Sequence, residues 1–422
     1  MKLSKLKLEN FRGIKSLELP FDDQLTLITG SNGAGKTSIL KAITLLLSWV
    51  IARTKNTKSP GKNITEQDIN NSTNDAVISA STTASLHWSL AKTRPARKVQ
   101  RVSDIAQIKP FVNALRDALS DSQCAIPLFC YYPVNRAVGD IALKVEKNQK
   151  FDQLDAWQDA LTGNANFKRF FSWFRQREDL ENENRAYLDS PNKPQGWEFP
   201  DRQLTAVRQA LTQFLPEFTD FKVRRNPLRM TAFKNGEELN VEQLSDGEKC
   251  MISLTGDLAR RLAIANPIGD NPLAGEGVIL IDEFDLHLHP QWQRRMIRQL
   301  PQVFTQCQFI VTTHSPQALG EVQAEQLRVL HRDDDNQVCL TQPKQSYGLT
   351  SNQVLNEIML IDGQDMQLTR TPEVEQALNT LFDLIEDEKI EQAQATIDGL
   401  EEQLNGEIPE LLRAKMRLEL QS

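Results

Sequence analysis

The sequence predicts an α/β fold: a mixed, largely parallel sheet with an antiparallel β part, a helical inserted subdomain and a C-terminal helical tail. Residues 25–29 form an apolar run, residues 30–37 are rich in glycine, and residues 38–43 begin an amphipathic helical pattern. Two later apolar runs, 277–281 and 308–313, end in ionisable side chains. Buried strands of this kind present their carboxyl ends at one sheet edge, where ligands bind in parallel α/β folds.

The glycine-rich stretch is the first candidate site. Glycines let backbone N–H groups wrap a polyphosphate at a helix N-terminus. Lys36 is expected to reach the outer phosphates, and the Thr37 hydroxyl to ligate Mg²⁺. The pattern G-x-x-x-x-G-K-[ST] therefore predicts binding of a nucleoside triphosphate. The residues that fit it, with the one that follows, are Gly30, Ser31, Asn32, Gly33, Ala34, Gly35, Lys36, Thr37 and Ser38.

The composition of the 422 residues is that of a globular protein with unevenly distributed charge. The net charge is −7, but residues 372–422 hold 13 acidic and 4 basic residues, whereas residues 53–101 hold 9 basic and 3 acidic ones. No apolar run has the length of a membrane span, and no apolar signal core follows the N-terminus, which predicts a cytoplasmic protein. Five scattered cysteines without a C-x-x-C pattern predict neither a disulfide framework nor a zinc site.

The N-terminal part is predicted to begin with antiparallel strands. Apolar and polar residues alternate over 2–8 and again over 17–19, around a turn at 10–14. A helix is expected from Lys36 to about Arg53, followed by a loop and by strands within 76–90. The basic cluster at 92–98 is interpreted as a solvated hairpin tip, with contact to a nucleic-acid backbone as the alternative.

The middle of the chain alternates helices and strands. Helical patterns cover 105–120 and 204–214, and buried strand patterns cover 125–132 and 221–233. Residues 151–188 carry an aromatic stripe whose spacing fits two short helices joined at 162–164. We expect these aromatic side chains to pack in the core, and a stacking platform for nucleic acid is the alternative.

Three later motifs carry side chains that could act on a nucleotide at the phosphate loop. Asp282 ends an apolar strand and suits the Mg²⁺ shell beside Thr37, and Glu283 is placed to orient or deprotonate an attacking water. His314 ends another strand and can bond a γ-phosphate or that water. The remaining motif, which alone is a common capped helix start, is Ser245, Asp246, Gly247 and Glu248.

Taken in this order, the motifs resemble those of ABC-type ATPases. Residues 245–248 are similar to their signature motif, Asp282-Glu283 to Walker B with the catalytic glutamate, and His314 to the switch histidine. In that class the signature of one subunit closes on the nucleotide held by the other. The resemblance therefore implies ATP hydrolysis, with ATP and Mg²⁺ as cofactors, by a homodimer or a higher homo-oligomer.

The opening of the chain indicates the branch. Residues 8–13, LENFRG, resemble the opening of the RecF, Rad50 and overcoming-lysogenization (OLD) ATPases, and this resemblance implies that Arg12 touches nucleotide. The run D-E-x-x-x-H-x-H-P at 282–290 is typical of bacterial RecF-like ATPases. We interpret its histidines, His287 and His289, as interface contacts, because no third metal ligand is evident nearby.

The two parts of the predicted site lie far apart in sequence. The 208-residue gap from Thr37 to Ser245 predicts a compact inserted subdomain, and Asn135-Arg136 stands where a Q-loop glutamine is usual. The predicted domains are listed by residue range: the N-terminal ATPase half with its basic insertion, 1–135; the inserted subdomain, 136–215; the C-terminal ATPase half, 216–345; and the acidic tail, 346–422.

Four segments sharpen the resemblance. Residues 131–138, 151–183, 228–230 and 246–266 together resemble PtuA, the ATPase family of the Septu anti-phage systems, and similar ATPases accompany some retrons. The resemblance implies a separately encoded, PtuB-like HNH nuclease as partner, regulated by this chain in phage defence. It also implies that nucleic acid is contacted through that partner and that no membrane is involved.

Two other functions stay open at this stage. A DNA-repair ATPase of the RecF or Rad50 type would grip DNA directly through residues 53–101. A transporter ATPase subunit is disfavoured by the N-terminal motif and the large insertion. No nuclease is predicted on this chain, because Asp333-Asp334-Asp335 lies in an expected hairpin turn rather than in a Toprim-like pattern. The acidic tail is expected to be a solvated cap or to dock a basic partner.

Overall fold

The computed structural model describes residues 1–95, 100–120, 124–134, 151–163, 167–359 and 371–421. The strands are β1 (Leu3–Phe11), β2 (Ile14–Pro20), β3 (Leu25–Gly30), β4 (Asp75–Thr82), β5 (His87–Thr93), β6 (Leu128–Tyr132), β7 (Phe218–Arg225), β8 (Leu228–Lys234), β9 (Glu237–Asn240), β10 (Gly277–Ile281), β11 (Cys307–Thr312), β12 (Leu327–Arg332) and β13 (Val338–Thr341). The α-helices are α1 (Lys36–Lys55), α2 (Ile108–Ser120), α3 (Phe167–Arg185), α4 (Arg202–Phe214), α5 (Asp246–Ala265), α6 (Pro290–Val303), α7 (Pro316–Leu319), α8 (Ser351–Val354), α9 (Pro372–Glu386), α10 (Ile390–Leu404) and α11 (Pro409–Gln421).

A six-stranded sheet carries the predicted site. Its strand order is β13-β12-β3-β11-β10-β6, with β12 and β13 antiparallel and the other neighbouring pairs parallel. Strands β10 and β11 are buried along their whole length, as expected for parallel strands that are covered on both faces. The phosphate loop follows β3, Asp282 follows β10 and Thr313 follows β11, so their side chains start from the same sheet edge.

Antiparallel strands form two smaller sheets, with orders β2-β1-β4-β5 and β7-β8-β9. Leu6 and Leu8 of β1 are fully buried and alternate with more exposed neighbours, which explains why the period-two pattern is visible in the sequence. Leu6 pairs with Leu19 on one side and with Ala80 on the other. The predicted α/β class with a mixed sheet and an antiparallel β part is confirmed.

Most of the aromatic residues within 151–188 are core residues. Phe170, Phe171 and Phe174 of α3 are completely buried. The Phe170 ring lies so close to α5 that a Cβ atom on Gly256 would come within 2.6 Å of it. The predicted packing role is therefore confirmed, and the first of the two predicted helices is a short 3₁₀ helix at Gln153–Trp157.

Helix α1 lies behind the phosphate loop and is largely buried. Among the described residues it is the one helix that length and composition would allow to cross a membrane. However, 72% of its most apolar window is buried inside the protein, as in the core helix of a globular domain. Its composition is therefore weak evidence for membrane insertion.

The chain divides into two compact units, Met1–Asp362 and Gly363–Ser422. The second unit contains α9, α10 and α11, which form the predicted helical tail. It has a hydrophobic core of its own, in which Leu381, Ile397 and Leu411 are completely buried. Most of its acidic side chains face solvent.

Several sequence predictions concern residues outside the described ranges, namely Asn135, Arg136, Arg97, Lys98 and Asn164. The described turn between β12 and β13 confirms the interpretation of the aspartate triplet. There the Asp333 N–H donates to the Gln337 carbonyl at 3.0 Å, and the Asn336 N–H donates to the Asp333 carbonyl at 2.8 Å.

Candidate active site

The phosphate loop joins the end of β3 to the start of α1. Gly30, Gly33 and Gly35 have φ angles of 146°, 82° and 102°, which favour glycine over side-chain-bearing residues. At Gly30 a Cβ atom would also lie 2.1 Å from the Leu330 carbonyl oxygen of β12, so no larger residue fits there. Gly30 is therefore required both by backbone conformation and by close contact with the neighbouring strand, and Gly33 and Gly35 by backbone conformation.

The lysine of the motif is folded back over this loop. Lys36 Nζ donates hydrogen bonds to the carbonyl oxygens of Gly30 and Ser31, at 2.8 and 3.0 Å. The side chain is 6% exposed. Burial lowers the pKa of Lys36, and the nearby carboxylates of Glu283, Asp282 and Asp285 partly oppose that shift. The ammonium group is thus near enough to three carboxylates to interact with them electrostatically.

The carboxylate of Asp282, which follows β10, is fixed by a residue of the neighbouring strand β11. Asp282 is completely buried, and the Thr312 hydroxyl donates to its Oδ1 at 2.6 Å. The Tyr131 hydroxyl approaches the other carboxylate oxygen, Oδ2, at 3.4 Å. A carboxylate held by hydroxyl donors is rotationally fixed, which is what a metal ligand requires.

Glu283 has an unusual backbone conformation. Its φ angle is 44°, a left-handed value that is uncommon for a residue with a side chain. Its N–H donates to the Thr312 hydroxyl oxygen at 2.8 Å, so Thr312 bridges Asp282 and Glu283. Left-handed residues of this kind cluster at functional sites, where the surrounding structure stabilises the strained conformation.

His314 is positioned by a second threonine and a third carboxylate. The Thr313 hydroxyl donates to Asp285 Oδ1 at 2.6 Å, and the backbone N–H of His314 approaches the same oxygen at 3.4 Å. Burial and the positive charge of Lys36 lower the pKa of His314, while the carboxylates of Asp285, Glu283 and Asp282 raise it. The pKa of His314 is lower than its usual value as a result, which favours the neutral imidazole with one hydrogen-bond donor and one acceptor on its ring nitrogens.

Three residues of this site were missed from the sequence: Thr312, Thr313 and Asp285. The available signals were the two threonines that directly precede His314 and the acidic residue two positions after Glu283. A fourth, Gln293 of α6, donates to the Asp285 carbonyl at 3.1 Å and accepts from the Ser315 hydroxyl at 2.6 Å. It therefore ties the segment after Walker B to the segment after His314.

The signature-like residues begin α5 in a different environment. The Ser245 hydroxyl and N–H both donate to Glu248 Oε2, at 2.8 and 2.9 Å, which makes a capping box. Burial alone would raise the pKa of Glu248, but hydrogen bonds from Lys234 and Ser245 lower it. The Asp246 side chain is 86% exposed. No described hydrogen bond or ion pair connects residues 245–248 to residues 30–37 of the same chain.

Gly247 is packed against the loop that follows Walker B. A Cβ atom at this position would lie 2.7 Å from the His287 carbonyl oxygen and 3.0 Å from the Trp292 ring. His287 has a φ angle of 66° and an exposed side chain, and His289 caps α6 through its ring. Among the residues that the structure describes, no three His, Cys, Asp or Glu side chains are grouped to hold a metal ion.

Arg12 lies in the turn between β1 and β2, where its φ angle is 52°. Its Nε donates to Asp68 Oδ1 at 2.8 Å, and its backbone N–H donates to the Asp68 carbonyl at 2.8 Å. The guanidinium also lies 5.6 Å from the centre of the Phe11 ring. The structure thus places Arg12 in an ion pair, and a contact with nucleotide stays a prediction.

The strand-end residues and the phosphate loop together suggest a phosphate-transfer enzyme, and comparison with known proteins identifies the family. The family model described as "AAA domain, putative AbiEii toxin, Type IV TA system" matches residues 25–320. The chain belongs to this family. The matched range contains the phosphate loop, the signature-like residues, Asp282, Glu283 and His314.

Curated relatives extend over most of the chain. The Retron Vc95 probable ATPase of Vibrio cholerae serotype O1 biovar El Tor is 31% identical, over 84% of this chain and 78% of the relative. The Retron Ec83 probable ATPase of Escherichia coli is 29% identical, over 90% and 80%. The Septu protein PtuA of Bacillus thuringiensis is 26% identical, over 92% and 90%. These relatives confirm the resemblance stated above, and the chain is an ATP-binding, ATP-hydrolysing protein.

Solved structures that align with this chain include the heads of SMC proteins. The SMC head bound to the C-winged helix domain of ScpA aligns at a TM-score of 0.41 and 16% identity, over 82% of this chain and 98% of that chain. The SMC head domain from Thermotoga maritima aligns at a TM-score of 0.38 and 16% identity, over 81% and 99%.

Proposed function

We propose that this chain is an ABC-type ATPase that closes as a dimer around ATP and regulates a separately encoded HNH nuclease in anti-phage defence. The observation that carries the catalytic part is the convergence of Lys36, Asp282, Glu283 and His314 at one edge of the six-stranded sheet. The pKa of Lys36 is influenced by Asp282 and Glu283, and that of His314 by Lys36, so the four groups act on one another electrostatically.

Each residue then has one role in hydrolysis. The N–H groups of residues 30–38 bind the phosphates, and Lys36 neutralises charge on the outer ones. Glu283 orients or deprotonates the attacking water, and His314 bonds the γ-phosphate. Arg12 would reach nucleotide by exchanging part of its ion pair with Asp68 for that contact.

A Mg²⁺ ion fits this donor set. Hard oxygen ligands are what Mg²⁺ prefers, and both the Asp282 carboxylate and the exposed Thr37 hydroxyl supply them at the phosphate loop. When bound, the ion would neutralise charge on the phosphate oxygens. Thr312 contributes by holding the Asp282 carboxylate in one orientation.

The position of residues 245–248 at the start of α5 supports the proposed dimer. Ser245, Gly247 and Asp246 start a helix whose N-terminus favours anions, and Asp246 is exposed. These residues make no described contact with the phosphate loop of their own chain. A second copy that brings its helix start to the γ-phosphate would complete both sites at once, as twofold symmetry requires.

Complementation tests the dimer directly. Lys36→Ala and Ser245→Arg are each expected to lower ATPase activity about a hundredfold or more in isolation. After mixing and subunit exchange, half of the dimers pair the two variants, and each of these has one intact composite site. The mixture should therefore recover about a quarter of the wild-type rate. A mixture as inactive as its components would contradict an active site shared between two subunits.

The proposal of a nuclease partner rests on the resemblance to the Septu ATPases and on the charge of the tail. The Septu relative spans nearly the whole chain, and residues 372–422 carry a net charge of −9 on a separate helical unit. Nucleases that bind nucleic acid have basic surfaces, which complement such a unit. We further propose a cytoplasmic location without membrane contact, and contact with nucleic acid through the partner.

Purification from the native host tests the partner. A tagged wild-type chain should retain an HNH protein through a wash at moderate salt, and a chain with residues 372–422 exchanged for an uncharged helical unit should lose it. The two proteins together should reduce phage plating, and Glu283→Gln should change that reduction. Recovery of the ATPase alone, under conditions in which it hydrolyses ATP, would contradict the partnership.

A DNA-repair ATPase of RecF type is the second candidate. It is favoured by short matches to RecF proteins, for example 54% identity over 46 residues of the Shewanella loihica protein, or 11% of this chain. The basic segment is less available than its composition indicates, because Arg101 forms ion pairs with Glu9 and Asp75. Salt-sensitive DNA binding by the isolated chain that is lost on neutralising Arg94, Arg97 and Lys98 would favour this alternative.

A further inference from the structure

An arginine that the motifs do not include reaches the phosphate loop from β12. Arg332 ends this strand, and its Nη2 donates to the Gly33 carbonyl at 3.0 Å. Nη2 is also the atom that a Cβ on Gly13 would meet, at 3.4 Å, so the guanidinium lies between the β1–β2 turn and the phosphate loop. The contact spans 299 residues of sequence and could not be read from a local pattern.

The position of Arg332 follows from the sheet. Strand β12 runs parallel to β3, and Leu330 is in register with Gly30. Two residues further on, Arg332 is therefore beside the loop that leaves β3. The other guanidinium arm, Nη1, donates to the Asn336 carbonyl at 2.8 Å, and Asn336 has a φ angle of 58° in the tight turn after Asp333. The turn thus fixes the direction of the arginine.

Arg332 differs from Arg12, which lies on the same side of the loop. Arg12 is neutralised by Asp68, whereas no described carboxylate lies within 4.0 Å of Arg332. Its partners are two backbone carbonyl oxygens. A guanidinium of this kind adds positive charge next to a loop whose motif predicts binding of polyphosphate.

The hydrogen bond to Gly33 determines the orientation of one peptide group. A trans peptide is planar, so a carbonyl oxygen and the following N–H point in opposite directions. Arg332 holds the Gly33 carbonyl on its own side of the loop, and the N–H of Ala34 must then point to the other side, where it donates to the Ser31 carbonyl at 3.2 Å. Ala34 is completely buried, but a Cβ atom on Gly33 would meet nothing within 4 Å, so packing holds only the Ala34 end of this peptide.

We propose that Arg332 is a positioning residue for nucleotide binding, which holds the Gly33–Ala34 peptide so that the loop keeps its phosphate-binding shape before the nucleotide arrives. The proposal rests on the phosphate loop being the nucleotide site. Preorganised loops bind more tightly because the ordering cost is met in the free protein. The hydrogen bond is charge-assisted, and its loss should weaken binding about tenfold.

Nucleotide affinity of the full chain, measured by calorimetry with ATP and with ADP in the presence of Mg²⁺, tests this role. Arg332→Met keeps the apolar stem and removes every donor. The dissociation constants of ATP and ADP should rise by the same factor of about ten, because both nucleotides occupy the loop. Arg332→Lys keeps the positive charge and one donor nitrogen, and should recover part of the loss. A loss confined to ATP would assign Arg332 to the γ-phosphate and overturn the positioning role.

Two controls separate the proposal from its premises. Lys15→Met removes an exposed positive charge close to Gly13 and should leave both dissociation constants within a factor of about two. Lys36→Ala tests the loop itself: if it leaves binding intact, the nucleotide site has been misassigned. If Lys36→Ala abolishes binding and Arg332→Met has no effect, only the present proposal fails.

Hydrogen exchange gives a readout without nucleotide. Without the Arg332 contact, the peptide spanning residues 30–37 should exchange faster in Arg332→Met than in the wild type, while a peptide from α5 should be unchanged. A general loss of protection would instead show that the variant is destabilised as a whole. Unchanged exchange in the loop peptide would overturn the proposal.

Discussion

The two halves of the proposed active site are built in different ways. On the six-stranded sheet, Asp282 and Asp285 are each fixed by a threonine hydroxyl at 2.6 Å, and the contacts lie within one chain. At the start of α5, Ser245 and Glu248 satisfy each other, while Asp246 projects into solvent. The side chains of the sheet half are positioned by contacts within one chain. The start of α5 is instead exposed, and in the proposed dimer it would act on the nucleotide of a second chain. Variants in the sheet half should therefore change the rate of hydrolysis at any protein concentration. Variants at the start of α5 should change it through the association of two chains.

Glu283→Gln is expected to have the largest effect. The amide cannot accept a proton from water, so kcat should fall about a thousandfold, within the usual range for loss of a general base. ATP binding should persist, because the phosphate loop is intact, and closed dimers should accumulate in ATP. ATP hydrolysis assays measure kcat, and size-exclusion chromatography measures the accumulation of dimers. Glu237→Gln, at an exposed glutamate of β9, is the matched control, and undiminished turnover in Glu283→Gln would contradict the assignment.

Ser245→Arg addresses the other half. It places a bulky side chain at the helix start and should lower kcat about a hundredfold, while the ATP dissociation constant of the single chain changes little. Thr350→Arg is a matched control, because Thr350 caps α8 in a capping box of the same kind with Gln353. Equal losses for the two variants would indicate that capping alone matters. Equal loss of nucleotide affinity and kcat at Ser245 would contradict action from a second subunit.

The comparison also shows what sequence could predict. Local patterns in the sequence were enough to predict the order of strand, loop and helix and the glycine-rich loop. They also indicated the residues at strand ends, Asp282, Glu283 and His314. The capping box at Ser245 was legible for the same reason. Thr312 was not, because its role depends on β10 and β11 lying side by side, with Ile281 in register with Val311. The contact of Arg332 with Gly33 likewise requires the pairing of β12 with β3, which no local pattern specifies.

Thr312→Val tests whether the threonine bridge matters. The isosteric change removes the hydroxyl that donates to Asp282 and accepts from the Glu283 N–H. Loss of one hydrogen bond to a charged group should lower kcat about tenfold and raise the Mg²⁺ concentration needed for half-maximal activity. Titration of Mg²⁺ at saturating ATP measures this effect.

Thr29→Val is the control for that experiment. Thr29 is also completely buried on a neighbouring strand, but its hydroxyl has no hydrogen-bond partner within the described part of the chain, so its removal should be neutral. If Thr312→Val retains the wild-type Mg²⁺ dependence, the bridge does not position the metal ligand.

Asp285→Asn should have the smallest effect, on the pH dependence of turnover. Asparagine can still accept from Thr313, so geometry is kept while one negative charge near His314 is removed. Burial and Lys36 already lower the pKa of His314, and Asp285 is one of the groups that raise it, so the substitution should lower that pKa further. The neutral imidazole then persists to lower pH, and the acid limb of the kcat profile should move in that direction. Asp334→Asn, at an exposed aspartate in the β12–β13 turn, should leave the limb in place. A shift toward higher pH in Asp285→Asn would mean that the carboxylate acts on catalysis through something other than its charge on His314, and the sheet half of the site would then be less self-contained than its hydrogen bonds indicate.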